Sequence, residues 1–348
     1  MSPLEEYRAK RNFRSTPEPS GRRRPEKTDE CRFVIQQHSA TRLHWDLRLE
    51  RDGVLASWAL PRGVPWSPKE NHLAVRTEDH PLEYLDFHGE IPEGSYGAGS
   101  MTIWDAGTYE AEEWEDRKVV VTFDGERTQG KYALFATRGK DWMIHRMDPP
   151  EDPSHTPPPR DLRPMVATSG ALPKGRNWAF EVCWRGTRAL VVNEPGLTEI
   201  RDGEGNDISA AFPEIRRIGR AIGSREVVLD GVVTAGDADS IGRRLAAKSD
   251  STVRRLARDH PASFVAFDIL WLDGRSLCDE RWDTRRDCLD DLALAGDAWS
   301  APAAHIGDGA AMKEAATGQG IDALVAKKTA SRYHPGATTD DWREIPTR

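Results

Sequence analysis

Cysteine is scarce: Cys31, Cys183, Cys278 and Cys288 are spread across 348 residues, with no Cys-x-x-Cys pair and no disulfide-framework density. Long apolar runs are missing as well. None approaches the ~20 residues that span a bilayer, so no membrane partner is expected. The opening residues, MSPLEEYRAKRNFRSTPEP, contain no apolar signal core, so no export is expected either. These absences point to a reducing cytoplasm. Excess positive charge is also lacking. Lys and Arg total 49 against 57 Asp and Glu, a net charge of -8, which argues against indiscriminate coating of nucleic acid. A local basic site stays open, because binding depends on where the charges sit.

What is present suits a two-domain globular protein, each half long enough to bury its own core. Between Arg8 and Lys27 eight basic residues face two acidic ones, Glu18 and Glu26. Residues 1–30 therefore read as a basic flexible arm, either solvated or contacting phosphate. Residues 149–161, PPEDPSHTPPPRD, hold six prolines and predict an extended spacer; it would reach ~40 Å at about 3 Å per residue. The intervening stretch, 31–148, alternates short apolar-polar segments with turn residues. Strands are expected at 32–37, 43–50, 55–60, 72–77, 101–104, 118–123, 132–136 and 142–145, a mainly β domain built as a small barrel or sandwich. Beyond the spacer, 162–348 reads as α+β. Strands are expected at 178–184 and 188–193, joined as a hairpin, and at 226–229, 263–271 and 321–327. Helices are expected at 212–222, 240–259, 281–294 and 310–317.

The most informative stretch is QQHSATRLHWDLRL, residues 36–49. From His44 onward alternation puts His44, Asp46 and Arg48 on one face of a strand, and Trp45, Leu47 and Leu49 on the other. A turn at residues 39–41 would return His38 to the polar face. Two imidazoles and a carboxylate make a three-ligand metal site with open positions. Such a site polarises a phosphoryl oxygen and acidifies water, and Arg48 suits phosphate oxygens. A polar strand face turned to solvent is the bland alternative. His80, set before Pro81, is a candidate phosphate contact or general acid, with Tyr84 as its donor. The glycine-rich run at 91–100 lacks the Lys-Ser/Thr ending of a nucleotide loop and reads as a loop feeding a strand.

The runs FVIQQHSATRLHWDLRLERDGVLASWALPRG and EDHPLEYLDFHGEIPEGSYGAGSMTIWDAG resemble the 3'-phosphoesterase module of bacterial DNA ligase D, from Tyr7 to about Met147. The resemblance implies a small β-barrel that removes a 3'-terminal ribonucleotide and then the 3'-phosphate from DNA ends, using manganese. It implies His38, His44 and Asp46 as metal ligands, with Gln36, Arg48 and His80 holding or activating the phosphate. Glu78 and Tyr84 would share the site. Asn12 stands where the family usually has Asp, His72 where it has Arg, and Arg62 where it has Lys. Those departures weaken the ribonuclease step more than the phosphatase step.

Residues 162–348 are similar to the adenylation domain of ATP-dependent DNA ligases, a nucleotidyltransferase fold. The nucleophile motif Lys-x-Asp-Gly-x-Arg reads Cys183-Trp184-Arg185-Gly186-Thr187-Arg188, without lysine or aspartate. Val232 follows Asp230-Gly231 where a metal-binding Glu is expected, and Glu344 and Pro346 stand for two lysines after Trp342. No oligonucleotide-binding domain is expected beyond these residues. A degenerate, pseudo-ligase domain forming no covalent AMP adduct is expected. DNA 3' ends, in primer-templates or broken duplexes, and end-joining repair proteins are the implied partners, which would put the protein at the nucleoid. An active ATP-dependent ligase and a non-catalytic end-binding scaffold are the alternatives.

Overall fold

The computed structural model describes residues 4–21, 31–40, 43–92, 94–150, 156–236 and 238–348. The chain divides into two compact units, Met1–His155 and Thr156–Arg348.

In the first unit nine strands follow one another: β1 Arg32–Ser39, β2 Leu43–Arg51, β3 Val54–Leu60, β4 Asn71–Arg76, β5 Gly89–Ile91, β6 Gly99–Glu115, β7 Lys118–Gly125, β8 Gln129–Arg138 and β9 Asp141–Arg146. Their order is β1-β2-β3-β4-β9-β8-β7-β6, and β6 pairs back onto β1. That closes an eight-stranded antiparallel barrel and removes its edges, while β5 lies outside the ring on β6. Every strand expected in this half is present. The β2–β3 turn is Asp52-Gly53, both at positive φ (50° and 82°). This two-residue turn matches strand twist and fixes register, setting Arg48 opposite Ser57 and Asp46 opposite Ala59. Phe33, Ile35, Trp45, Leu47, Leu49, Trp58, Phe123 and Leu134 fill the barrel interior. The opposite face of β1 and β2 is buried too, by other parts of the same unit.

Part of that cover is the segment expected as a flexible arm. Residues 4–21 pack onto the unit. Helix α1, Glu5–Ala9, buries Tyr7 completely, and Leu4 and Tyr7 join Leu55, Leu82, Tyr84 and Phe87 in a second apolar cluster. The Tyr7 hydroxyl donates to Pro19 O at 2.5 Å, tying the arm's two ends together. The arginine run at 22–24 lies outside the described residues, as do 151–155 of the proline-rich spacer. The spacer's far end is attached to the second unit, with Pro158 buried and Arg160 bonded to Glu194 and Glu199.

The second unit is α+β. One sheet runs Val166–Ser169, Thr338–Pro346, Ala323–Lys328, Trp178–Val182, His305–Ile306. The other runs Leu197–Asp202, Thr187–Glu194, Val227–Ala235, Ala262–Leu272, Trp299–Ser300, Ala295–Gly296, with Arg275–Ser276 beside Ala262–Leu272. The expected hairpin across Arg185-Gly186-Thr187 is therefore corrected, since its two strands belong to different sheets. Gly186 sits at φ +151°, where a Cβ would lie 2.1 Å from Val233 O, so the chain slips past a neighbouring strand here rather than folding back. The single helix expected at 240–259 is two, Ala238–Leu245 and Asp250–Asp259. Ser249 accepts from Thr252 N at 3.3 Å and caps the second. The helix expected at 212–222 is reduced to short turns and Ile218–Ile222.

Asp268 and Arg285, both essentially inaccessible, pair through bonds of 2.7 and 2.9 Å. Removing one partner strands the other charge in the interior. Arg285→Ala is expected to cost about 3–5 kcal/mol of stability, read as a lower guanidinium midpoint.

Candidate metal and phosphate site

The β1–β2 hairpin pairs His38 with His44 and Gln36 with Asp46. Alternation does the rest, bringing His44, Asp46 and Arg48 to the face that carries Gln36 and His38 on β1. The His38 and His44 ring centres are 4.7 Å apart. Among the described residues, His38, His44 and Asp46 form the one group whose ligand atoms converge, all within 4.8 Å.

The hydrogen bonding fits a cation. His38 Nε2 lies 2.9 Å from Gly97 O. A carbonyl only accepts, so Nε2 carries the proton and Nδ1 presents a lone pair. That Nδ1 is buried without a hydrogen bond and lies 3.5 Å from Asp46 Oδ2, while His44 Nε2 lies 3.7 Å from Asp46 Oδ1. Two acceptors facing each other need a cation between them. The backbone carbonyl behind His38 is the usual second partner of a metal-binding imidazole. The set lacks any preference that would separate manganese from zinc, iron or cobalt.

Arg48, 2% exposed, is held on three sides. It donates to Gln36 Oε1 (2.7 Å), Ser57 Oγ (3.1 Å) and Asp46 Oδ2 (3.0 Å). A guanidinium has five donors, so two remain for an incoming oxyanion. Burial pushes the Asp46 carboxyl pKa up, but the Arg48 guanidinium outweighs it and holds Asp46 ionised far below the ordinary range. Gln36 is buried and spends its amide on Tyr84 O and Phe87 O (3.0 and 2.7 Å).

A cavity of about 250 Å³ opens over this cluster, lined by His38, His44, Asp46, Arg48, Glu78, His80 and Tyr84. Seven of the eight residues expected at the site thus meet in one pocket. The eighth, Gln36, lies behind it as a brace for Arg48. The His80 Nδ1 donates to Glu78 O at 2.8 Å, and Arg11 Nη2 donates to its Nε2 at 3.2 Å. Burial, then Arg48 and Arg11, keep its pKa well below the usual imidazole value, so His80 is neutral rather than a charged acid.

Among the other lining residues, Arg11, Glu18 and Tyr96 carry charged or aromatic groups that the sequence does not place at the site. Arg11 donates to Glu18 Oε1 (2.7 Å) and Glu78 Oε1 (2.9 Å), and the Tyr84 hydroxyl also bonds Glu18. Glu78 further accepts from Lys10 at 2.9 Å. The arm thus roofs the pocket with alternating cations and carboxylates. One signal was available: Glu18 is the only acid between Arg8 and Arg24. Asn12 is exposed and caps Arg14 N, and His72 bonds Gly63 O and Glu70; neither lines the pocket, nor does Arg62.

In the second unit burial pushes the thiol pKa of Cys183 up. Lys327 is buried against Glu181 at 2.8 Å, and Arg188 grips Asp230 through bonds of 2.7 and 2.6 Å. The Tyr333 hydroxyl also donates to Asp230, at 2.7 Å. No helix among the described residues is long and apolar enough to cross a membrane.

Comparison with known proteins locates both units. The family described as DNA Ligase D 3'-phosphoesterase domain matches residues 36–136, and that described as ATP dependent DNA ligase domain matches residues 164–345. The multifunctional non-homologous end joining protein LigD of Mycolicibacterium smegmatis is 40% identical over 352 residues, covering 97% of this chain and 45% of that protein. LigD of Pseudomonas aeruginosa is 30% identical over 399 residues, covering 99% and 47%. The chain therefore spans a little under half the length of these curated relatives. A solved structure of mycobacterial DNA ligase D complexed with ATP and MES is 34% identical, with a TM-score of 0.45, over 54% of this chain and 60% of that one.

Proposed function

Because the chain belongs to the DNA ligase D family, with a 3'-phosphoesterase domain joined to an ATP dependent DNA ligase domain, we propose that its first unit is a manganese-dependent phosphoesterase. It clears 3'-phosphates from DNA ends, primer-templates or broken duplexes, during end joining in the cytoplasm, alongside other end-joining proteins. The observation that carries this is the His38 lone pair, buried and unbonded opposite Asp46.

His38, His44 and Asp46 would hold the ion, which supplies Lewis-acid activation of the phosphoryl group and of water. The chain's own residues do the positioning. Arg48, braced by Gln36, Ser57 and Asp46, offers its two remaining donors to phosphate oxygens. The cations of Arg11 and Lys10 are held at the roof by Glu18 and Glu78, close enough to meet the charge of an incoming end. Neutral His80 and the Tyr84 hydroxyl, whose protons go to Glu78 O and Glu18, wall the pocket without adding charge. Asn12 contributes no carboxylate to the pocket, which favours the phosphatase step over ribonucleotide removal. The test is a primer-template ending in a 3'-phosphate. Release of inorganic phosphate with manganese and not with chelator supports the reading, and no release under either condition refutes it.

For the second unit the reading is a silent ligase-like domain. An uncharged thiol stands at the nucleophile position, and the two cations that act on it, Arg185 and Arg188, are paired with Asp322 and Asp230. Incubation with ATP labelled at the α-phosphate is expected to leave the protein unlabelled. A stable labelled adduct would restore the ligase reading.

A further inference from the structure

Tyr96 stands out as a large aromatic left 53% exposed at the edge of a site in which Asp46, Arg48, His80 and Tyr84 are buried. Its position is fixed. The next residue, Gly97, at φ +74°, turns its carbonyl to His38 Nε2 at 2.9 Å, so the loop carrying Tyr96 is anchored to a metal-ligand candidate. Lys10 Nζ lies 5.1 Å and Arg11 Cζ 5.6 Å from the ring centre. No described residue hydrogen-bonds its hydroxyl. The ring is thus held by cations and by its backbone, with half its surface still open.

The cavity below is too small for a whole nucleotide. At about 250 Å³ it falls under the ~300–1,000 Å³ that enclose a small-molecule ligand. With a phosphate beside Arg48 and its sugar filling that space, the base would emerge at the rim, where Tyr96 is. Aromatic faces bind bases of any sequence by stacking.

We propose that Tyr96 is a positioning residue that stacks on the base of the nucleotide carrying the 3'-phosphate, so that the preferred substrate is a phosphate on a nucleoside terminus rather than on a bare sugar. This rests on the phosphoesterase reading of the same pocket, and it makes the site sequence-tolerant but base-requiring.

The experiment compares wild type, Y96A, Y96F and Y96W on two primer-templates, one ending in a normal 3'-phosphorylated nucleotide and one in a 3'-phosphorylated abasic sugar. Y96A is expected to raise KM on the normal end about tenfold to a hundredfold, with kcat little changed, and to lose much less on the abasic end. Y96F and Y96W should stay near wild type. A second arm needs no turnover. In chelator, the fluorescence of a 3'-terminal 2-aminopurine should be quenched by wild type and Y96F but not by Y96A. Equal quenching by Y96A, or equal losses by Y96A on both ends, overturns the stacking role. If wild type releases phosphate from neither end, the phosphoesterase reading fails, and the fluorescence arm still decides whether Tyr96 stacks.

Discussion

His44→Ala is expected to reduce manganese-dependent phosphate release from a 3'-phosphorylated primer-template by roughly a thousandfold, the scale of several kcal/mol of Lewis-acid stabilisation. The expectation follows from how few groups converge. Three donors, His38, His44 and Asp46, make up the site, and two donors hold a divalent ion poorly. The fold itself should survive, because His44 is only partly buried and sits on the polar side of β2, away from Trp45, Leu47 and Leu49. Unchanged unfolding together with lost turnover separates a missing ligand from a missing fold. His44→Ala that releases phosphate as fast as wild type would remove the metal from the mechanism.

Arg48→Ala is expected to fail on both counts. The guanidinium is 2% exposed and is the strongest influence keeping buried Asp46 ionised. Deleting one member of a buried ion pair typically costs about 3–5 kcal/mol, because the other charge is left uncompensated. Gln36 Oε1 and Ser57 Oγ lose their donors as well. Turnover should fall about a hundredfold to a thousandfold, as when a preorganised oxyanion donor is removed. Arg48→Lys keeps the charge but not the fork, so it should recover much of the stability and little of the activity. Unfolding curves and phosphate release, measured on both variants, check this. Equal recovery of both by Lys would mean that Arg48 acts only as a point charge.

The metal face was legible because alternation is a local property. His44, Asp46 and Arg48 point one way wherever the strand lies, and Trp45, Leu47 and Leu49 identify the other side as core. Placing His38 directly across from His44 needed the pairing register, which alternation along one strand does not give. The arm was illegible for a different reason. Arg11 and Lys10 reach Glu78 across 67 and 68 residues, and nothing in the local composition, rich in Arg, Pro and Ser, distinguishes such contacts from a solvated tail. The family resemblance assigns Gln36 to the phosphate, yet its amide nitrogen is consumed by backbone carbonyls and its oxygen by Arg48. In the second unit the two strands themselves were readable from their apolar runs at 178–184 and 188–193. The misassigned hairpin at residues 178–193 was not, because a glycine that turns a chain back and one that passes it between sheets look alike in sequence.

Manganese binding itself tests the central claim most directly. Metal-free protein titrated with Mn(II) and followed by electron paramagnetic resonance should take up one ion per chain, and His44→Ala and His38→Ala should bind it about a hundredfold more weakly or not at all. Equal binding by wild type and both variants would place the ion elsewhere and contradict the assignment of His38, His44 and Asp46.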